Sequence, residues 1–419
     1  MKRKSLLITG ASIIVAAALG CWVSSRWNAW FHNPPEEPYT PSAVPSRVLL
    51  SFGNEGELSR YVSWMCDTVV DASSRLMYVD VTDTLSASRD TVSIGAVGEV
   101  FQSRSGKAAY YRAQLTGLKP YHTYRYAVES RGVKSAWYSF RTYDPSASDF
   151  TFLYMGDVQD TIGGVANTLL RRALAAHPEA EFVAFGGDLI ERPTDAYFGE
   201  TFRSIDSVCT AMPVVNITGN HDYLKYLKRK CERRFALVFP YFLKGMEERD
   251  DDNHLFALTY HNTDFYLLDS DRGAVFLWQQ RRWLKSQIEA SRSAHKIVMI
   301  HHPLYSVKRK NNNLVQRLMF NSVVQDAGVD LVLQGHEHAY ARCTSDDRPL
   351  KGHECHRPPL YTVSHCSPKN YNIHPTERFY PVLSGSRYYQ LVTVSAKSVT
   401  MKGYDANSGA LIDSVVIRK

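Results

Sequence analysis

Phe150-Thr151-Phe152-Leu153-Tyr154-Met155-Gly156-Asp157 decides how the rest of the chain is read. Its apolar run lacks the alternation of a half-exposed strand, so it reads as a strand buried on both faces. It ends on Gly-Asp, and glycine lets a backbone turn tightly and approach its neighbours. The same grammar recurs downstream. Glu181-Phe182-Val183-Ala184-Phe185 leads into Gly187-Asp188, and Pro213-Val214-Val215-Asn216-Ile217 into Gly219-Asn220-His221-Asp222. Lys296-Ile297-Val298-Met299-Ile300 leads into His301-His302-Pro303, and Asp330-Leu331-Val332-Leu333 into Gly335-His336-Glu337-His338.

Residues 162–177 carry apolar side chains at helical spacing (Val165, Leu169, Leu170, Leu174), and 195–209 and 276–291 also read as helices. Residues 255–258 and 265–268 read as a strand pair, and strands return at 389–394, 398–401 and 414–417. Buried strands alternating with helices predict an α/β sheet covered on both faces over 149–419. Upstream, 46–145 shows no helical period. Its short strands include 47–52, 61–64 (with Trp64 as a core residue), 76–81, 110–115, 124–128 and 137–142, which predicts a β-sandwich. Leu115-Thr116-Gly117-Leu118-Lys119-Pro120, leading to the Tyr124 and Tyr126 strand, resembles a fibronectin type III pattern.

Lys2, Arg3 and Lys4 precede an apolar run to residue 23, the layout of an export signal. Ala18-Leu19-Gly20-Cys21 is similar to a lipobox, which makes Cys21 a lipid site; a retained anchor is the alternative. Either ending implies an exported, envelope-associated protein, with membrane contact through the N-terminus. The Pro-rich stretch within 24–45 reads as a linker. Export permits disulfides, and Cys343 with Cys355 is a plausible local pair. The formal net charge of +7 favours anionic substrates, but the basic residues are dispersed and no nucleic-acid partner is expected.

The strand ends bring Asp157, Asp188, Asn220, His221, Asp222, His301, His336 and His338 to the carboxyl edge of the sheet, where α/β folds bind ligands. Gly-Asp alone is an ordinary turn and a lone His pair an ordinary surface feature; the ordered set is neither. Mixed carboxylate, amide and imidazole donors suit zinc, iron or manganese better than calcium or magnesium. Two such ions about 3.5–4 Å apart clamp a phosphoryl group and acidify a water.

On these motifs residues 149–419 resemble the calcineurin-like metallophosphoesterases. With the sandwich in front, the chain resembles their purple acid phosphatase branch most. The resemblance implies a four-layer α/β/β/α catalytic sandwich, two metal ions (iron, zinc or manganese) and a small phosphorylated substrate. By it, Asp188 bridges both ions, Asp157 and His338 hold the first, and Asn220, His301 and His336 hold the second. His301 is favoured over His302 because the family places its ligand directly after the strand. His221 would donate a proton or bind phosphate, oriented by Asp222, while an activated hydroxide attacks phosphorus in line. The implied reaction is acid-phosphatase-like hydrolysis of phosphate monoesters.

Two positions depart from the pattern. Glu191 stands where the purple enzymes place a tyrosine, so no purple colour is expected, and Gln159 stands where the wider family places a histidine. Gln159, Glu191 or a water would then complete the first site. The Lys308-Arg309-Lys310 loop reads equally as a substrate-anion contact or a solvated turn, and the charges in 223–252 read as a solvated face. Two rivals stay open: a phosphodiesterase or nucleotide hydrolase at the same site, and a surface binding protein with weakened catalysis.

Overall fold

The computed structural model describes residues 2–54, 56–82, 90–226, 229–241 and 254–418, giving only the backbone of 2–12 and 29. Two antiparallel sheets form the N-terminal sandwich. One runs Ser46–Gly53, Gly56–Met65, Lys107–Leu115, Val97–Gln102; the other is built around Arg75–Asp80 and Thr123–Ser130. Trp64 is buried between them, stacked on Tyr111 at 5.5 Å, with its indole N–H donating to Ser130 Oγ at 3.1 Å. The exposed edges Val92–Gly95 and Val97–Gln102 escaped the sequence reading because Ser and Gly interrupt their apolar pattern.

The second part has two seven-stranded sheets. Val214–Asn216, Ala180–Phe185 and Asp149–Met155 run parallel in the first, which continues antiparallel through Tyr388–Ser395, Ser398–Asp405 and Leu411–Arg418. Thr263–Leu268, His295–Ile300, Leu331–Gln334 and Leu360–Val363 run parallel in the second. Phe152 and Phe182 of the first sheet pack edge-on against Phe265 of the second, at 5.4 and 5.6 Å. Helices Ala166–Ala176 and Asp195–Cys209 join the first sheet in one apolar core; Ala274–Ala290 and Leu314–Asp326 join the second in another. Strands apolar on both faces follow from this four-layer α/β/β/α order.

The first of these helices starts at Ala166 rather than 162. Gly163 adopts φ +76° and the Asp160 carboxylate accepts from Ala166 N at 2.9 Å, so 160–165 form a turn. Helix Leu314–Asp326 was not read from sequence, because it buries only Phe320, Val323 and Val324.

Two expectations need correction. Residues 24–45 are not a free linker: the first helix, Lys2–Phe31, runs past Cys21, and 33–39 lie docked on the body. The Glu36 side chain is buried, 3.1 Å from Arg104 and 2.8 Å from Arg234, and accepts from Asp195 N at 3.0 Å. Its carboxylate, flanked by two guanidiniums, outweighs the flexibility that Pro-rich composition suggests. Cys343 and Cys355 are not bonded. They belong to different apolar cores on different sheets, and every cysteine is a free thiol. Among the described residues no helix is long and apolar enough to cross a membrane.

Candidate metal centre

Each strand end turns sharply. Asp157, Asp188 and His336 adopt φ of +42°, +48° and +67°, unusual for residues with a side chain. Backbone hydrogen bonds hold them there: His336 N donates to Asp157 Oδ2 at 2.6 Å and His221 N to Asp188 Oδ1 at 2.7 Å. Space explains two preceding glycines. A Cβ on Gly335 would collide with Asp157 Oδ2, and one on Gly219 with Asp188 Oδ1.

Asp157, Asp188 and His301, all buried, bring one ligand atom each to within 4.8 Å of one another. The imidazoles are oriented by main-chain carbonyls, which only accept, so each bonded Nδ1 must carry the proton. His301 Nδ1 donates to Gly186 O at 2.9 Å, leaving Nε2 3.3 Å from Asp188 Oδ2 and 3.4 Å from Asn220 Oδ1. His338 Nδ1 donates to Lys369 O at 2.9 Å, leaving Nε2 3.5 Å from Asp157 Oδ1. His221 Nδ1 donates to Glu191 O at 2.5 Å, leaving Nε2 3.9 Å from Asp188 Oδ2. His336 Nδ1 lies 2.8 Å from Asn220 Oδ1. Six predicted ligands and His221 therefore meet where the carboxyl ends of the two sheets face each other, Asp157, Asp188 and Asn220 from the first and His301, His336 and His338 from the second.

Burial alone would raise the Asp188 carboxyl; the His301 and His221 rings outweigh it and hold the group well below the carboxylate range. His302 is turned aside. Its Nδ1 meets Ser270 Oγ at 2.9 Å, and burial with the adjacent His301 pushes its pKa down to about 3.

Three readings change. The Asp222 carboxylate accepts from Gly219 N at 2.8 Å, bracing the turn, so the Glu191 carbonyl and not Asp222 orients His221. The Glu191 carboxylate is clamped by Lys369 Nζ at 2.5 and 2.6 Å and is not in the buried ligand group. Arg233 and Arg234 are not a free solvated face: half-buried Arg233 grips Glu99 at 3.0 and 2.7 Å, and Arg234 is fully buried. Lys228 and Asp250 to Asp252 lie outside the described residues. Gln159 stays at the site: its backbone N donates to Asp188 O at 2.9 Å, and both side-chain amide atoms are buried without a partner.

Sequence reasoning missed Tyr371, His365 and Glu337, and left Lys308 open between an anion contact and a solvated turn. Tyr371 stacks on His338 at 4.2 Å, and Lys308 Nζ sits 4.2 Å over the other partner of that stack, the Tyr371 ring. His365, fully buried, stacks on His338 at 5.0 Å; it follows the apolar Leu360–Val363 strand, the same signal used for the ligands. Glu337 accepts from Val307 N (2.6 Å), Lys308 N (3.1 Å), Asn312 (3.0 Å), Asn313 (3.1 Å) and Ser306 Oγ (2.5 Å), so it fastens the Lys308 loop beside the ligand set.

The donor set fits metal. Asp157 Oδ1 is buried with no hydrogen-bond partner, and two carboxylates converge there with only imidazoles as counter-groups. A four-layer α/β/β/α sandwich with this edge defines a metallophosphoesterase. Comparison with known families carries this further: residues 150–340 match the calcineurin-like phosphoesterase model, and 45–142 match the purple acid phosphatase N-terminal domain. Residues 150–340 are thus a calcineurin-like phosphoesterase domain, preceded by a purple acid phosphatase N-terminal domain, and the chain is a phosphoester hydrolase. Its fold is similar to that of purple acid phosphatase PPD1 from yellow lupin (Lupinus luteus) seeds, with TM-score 0.70, 14% identity, and coverage of 90% of this chain and 74% of that one. It is also similar to PhoD, with TM-score 0.61, 12% identity, and coverage of 91% and 93%.

Proposed function

We propose that the chain hydrolyses phosphate monoesters at a binuclear centre. Asp157 and His338 would hold one ion, Asn220, His301 and His336 the other, and Asp188 would bridge them. The convergence of Asp157, Asp188 and His301 within 4.8 Å carries the reading. When bound, the ions would supply positive charge to the phosphoryl oxygens and acidify a water. The chain's own residues do the rest. His301 and His338 present Nε2 in fixed tautomers. His221, held through Nδ1–H, keeps Nε2 toward the site; in its doubly protonated form it would pass the Nε2 proton to the departing ester oxygen and be left as the Nδ1–H tautomer. Lys308, beside the ligand set, offers a cation to the phosphoryl group. The export-signal layout of the N-terminus supports an envelope location with Cys21 as lipid site.

The test uses p-nitrophenyl phosphate and bis-p-nitrophenyl phosphate with protein loaded with manganese, zinc or iron. Turnover should require metal, favour the monoester, and fall about 10²–10⁴-fold in His221→Ala. A diester preference would move the reading to a phosphodiesterase. A fully metallated protein inert on both would favour the binding-protein rival.

A further inference from the structure

A cleft of about 410 Å³ opens beside His221, within the usual range for small-molecule sites. Three chain segments build it. The loop around Glu191-Arg192-Pro193 forms one wall, Tyr223, Lys225 and Arg229 a second, and the N-terminal segment from Asn28 to Pro34 the third. These walls are fastened together. Asn33 Nδ2 donates to Lys225 O at 3.0 Å, and Lys225 N donates to Asn33 Oδ1 at 2.8 Å. From the sandwich, Arg104 donates to Pro34 O at 2.6 Å and to Pro193 O at 3.2 Å.

The charge on the walls is one-sided. Arg104, Arg192, Lys225 and Arg229 line the cleft, with Glu191 as its single carboxylate. Glu191 is neutralised by Lys369, Arg104 is engaged by Glu36, and Arg229 lies 3.2 Å from Asp271. Arg192 and Lys225 form no ion pair among the described residues. These two exposed cations, without an ion pair among the described residues, give the cleft a positive potential that draws anions to it.

We infer that this cleft is a leaving-group subsite for small substrates that carry a second phosphate, read by Arg192 and Lys225. The inference rests on the phosphatase reading through His221. The group that protonates the leaving oxygen lines the cleft, so the leaving group starts there and extends between the two cations. The N-terminal wall bounds its length, which favours a compact bisphosphorylated molecule over a polymer.

The test has a binding arm and a turnover arm. Propane-1,3-diphosphonate and propylphosphonate are titrated calorimetrically into the full chain and into R192Q/K225Q. Fructose 1,6-bisphosphate and fructose 1-phosphate are compared as substrates. The full chain should bind the diphosphonate about tenfold more tightly, about 1.4 kcal/mol. The double variant should lose that preference, and its kcat/KM ratio for bisphosphate over monophosphate should fall by a similar factor. Equal binding of the two phosphonates, or a preference that survives in the double variant, would overturn the subsite. Absence of turnover on every ester with the binding preference intact would instead sink the phosphatase reading.

Discussion

Two clusters of buried charge lie in this molecule, and they are built on opposite plans. Where the sandwich, the N-terminal segment and the catalytic part meet, each carboxylate has a permanent cation. Arg47 holds Asp195 at 2.9 Å, and Arg234 lies 2.8 Å from Glu36 and 3.3 Å from Glu232. Where the two sheets end, Asp157 and Asp188 have only imidazoles as counter-groups, at 3.5 and 3.3 Å. Both sit at positive φ, which costs of order 1–3 kcal/mol per residue. The first cluster carries its own cations and serves assembly; the second offers carboxylates to positive charge from outside and serves chemistry.

The sharpest way to break this contrast is to neutralise one charge in each cluster. Asp188→Asn should lose bound metal and drop p-nitrophenyl phosphate hydrolysis at least about 1,000-fold, about 4 kcal/mol of barrier. Retained metal content and turnover within tenfold of the parent would remove Asp188 from the site. Glu36→Ala should do the reverse, costing about 3 kcal/mol in urea unfolding because Arg234 stays buried with a partner missing. A shift below about 0.5 kcal/mol would mean the docked segment contributes nothing.

The pH dependence sharpens the comparison further. Burial outweighs Arg234 and pushes Glu232 up to about 7, from an ordinary 4.5. The folded state then holds its proton more tightly, so stability is full below about pH 4.5 and falls as pH rises to about 7, by at most about 3 kcal/mol. In Glu232→Gln that fall should vanish from unfolding curves measured at pH 5 and 7.5; parallel curves for variant and parent would contradict it. The smallest effect comes from filling the second cluster. Manganese or zinc at about 100 times its Kd should stabilise the parent by about 2.7 kcal/mol and Asp188→Asn by far less. Equal stabilisation of both would place the ion elsewhere.

The contrast also explains what could be read in advance. Asp157, Asp188, Asn220, His301, His336 and His338 each follow a buried strand, and a strand end fixes both position and direction, so local pattern sufficed. Glu36, Arg104 and Arg234 meet across long sequence separations, and no local pattern marks such a pairing. A Pro-rich stretch looks alike whether free or docked. His221 was legible, but its orienting group was not, because the Glu191 carbonyl is main chain and any residue there supplies one. Lys369 and Tyr371 come from irregular loop, where periodicity says nothing.

His221, His301 and His338 each donate Nδ1–H to a backbone oxygen, from Glu191, Gly186 and Lys369. A side-chain partner can be deleted by one codon change; a peptide carbonyl survives every substitution that leaves the local path intact. The proton positions of three imidazoles are thus insulated from mutation. The surrounding side chains, such as Glu191 and Lys369, are free to drift toward new substrates without disturbing them.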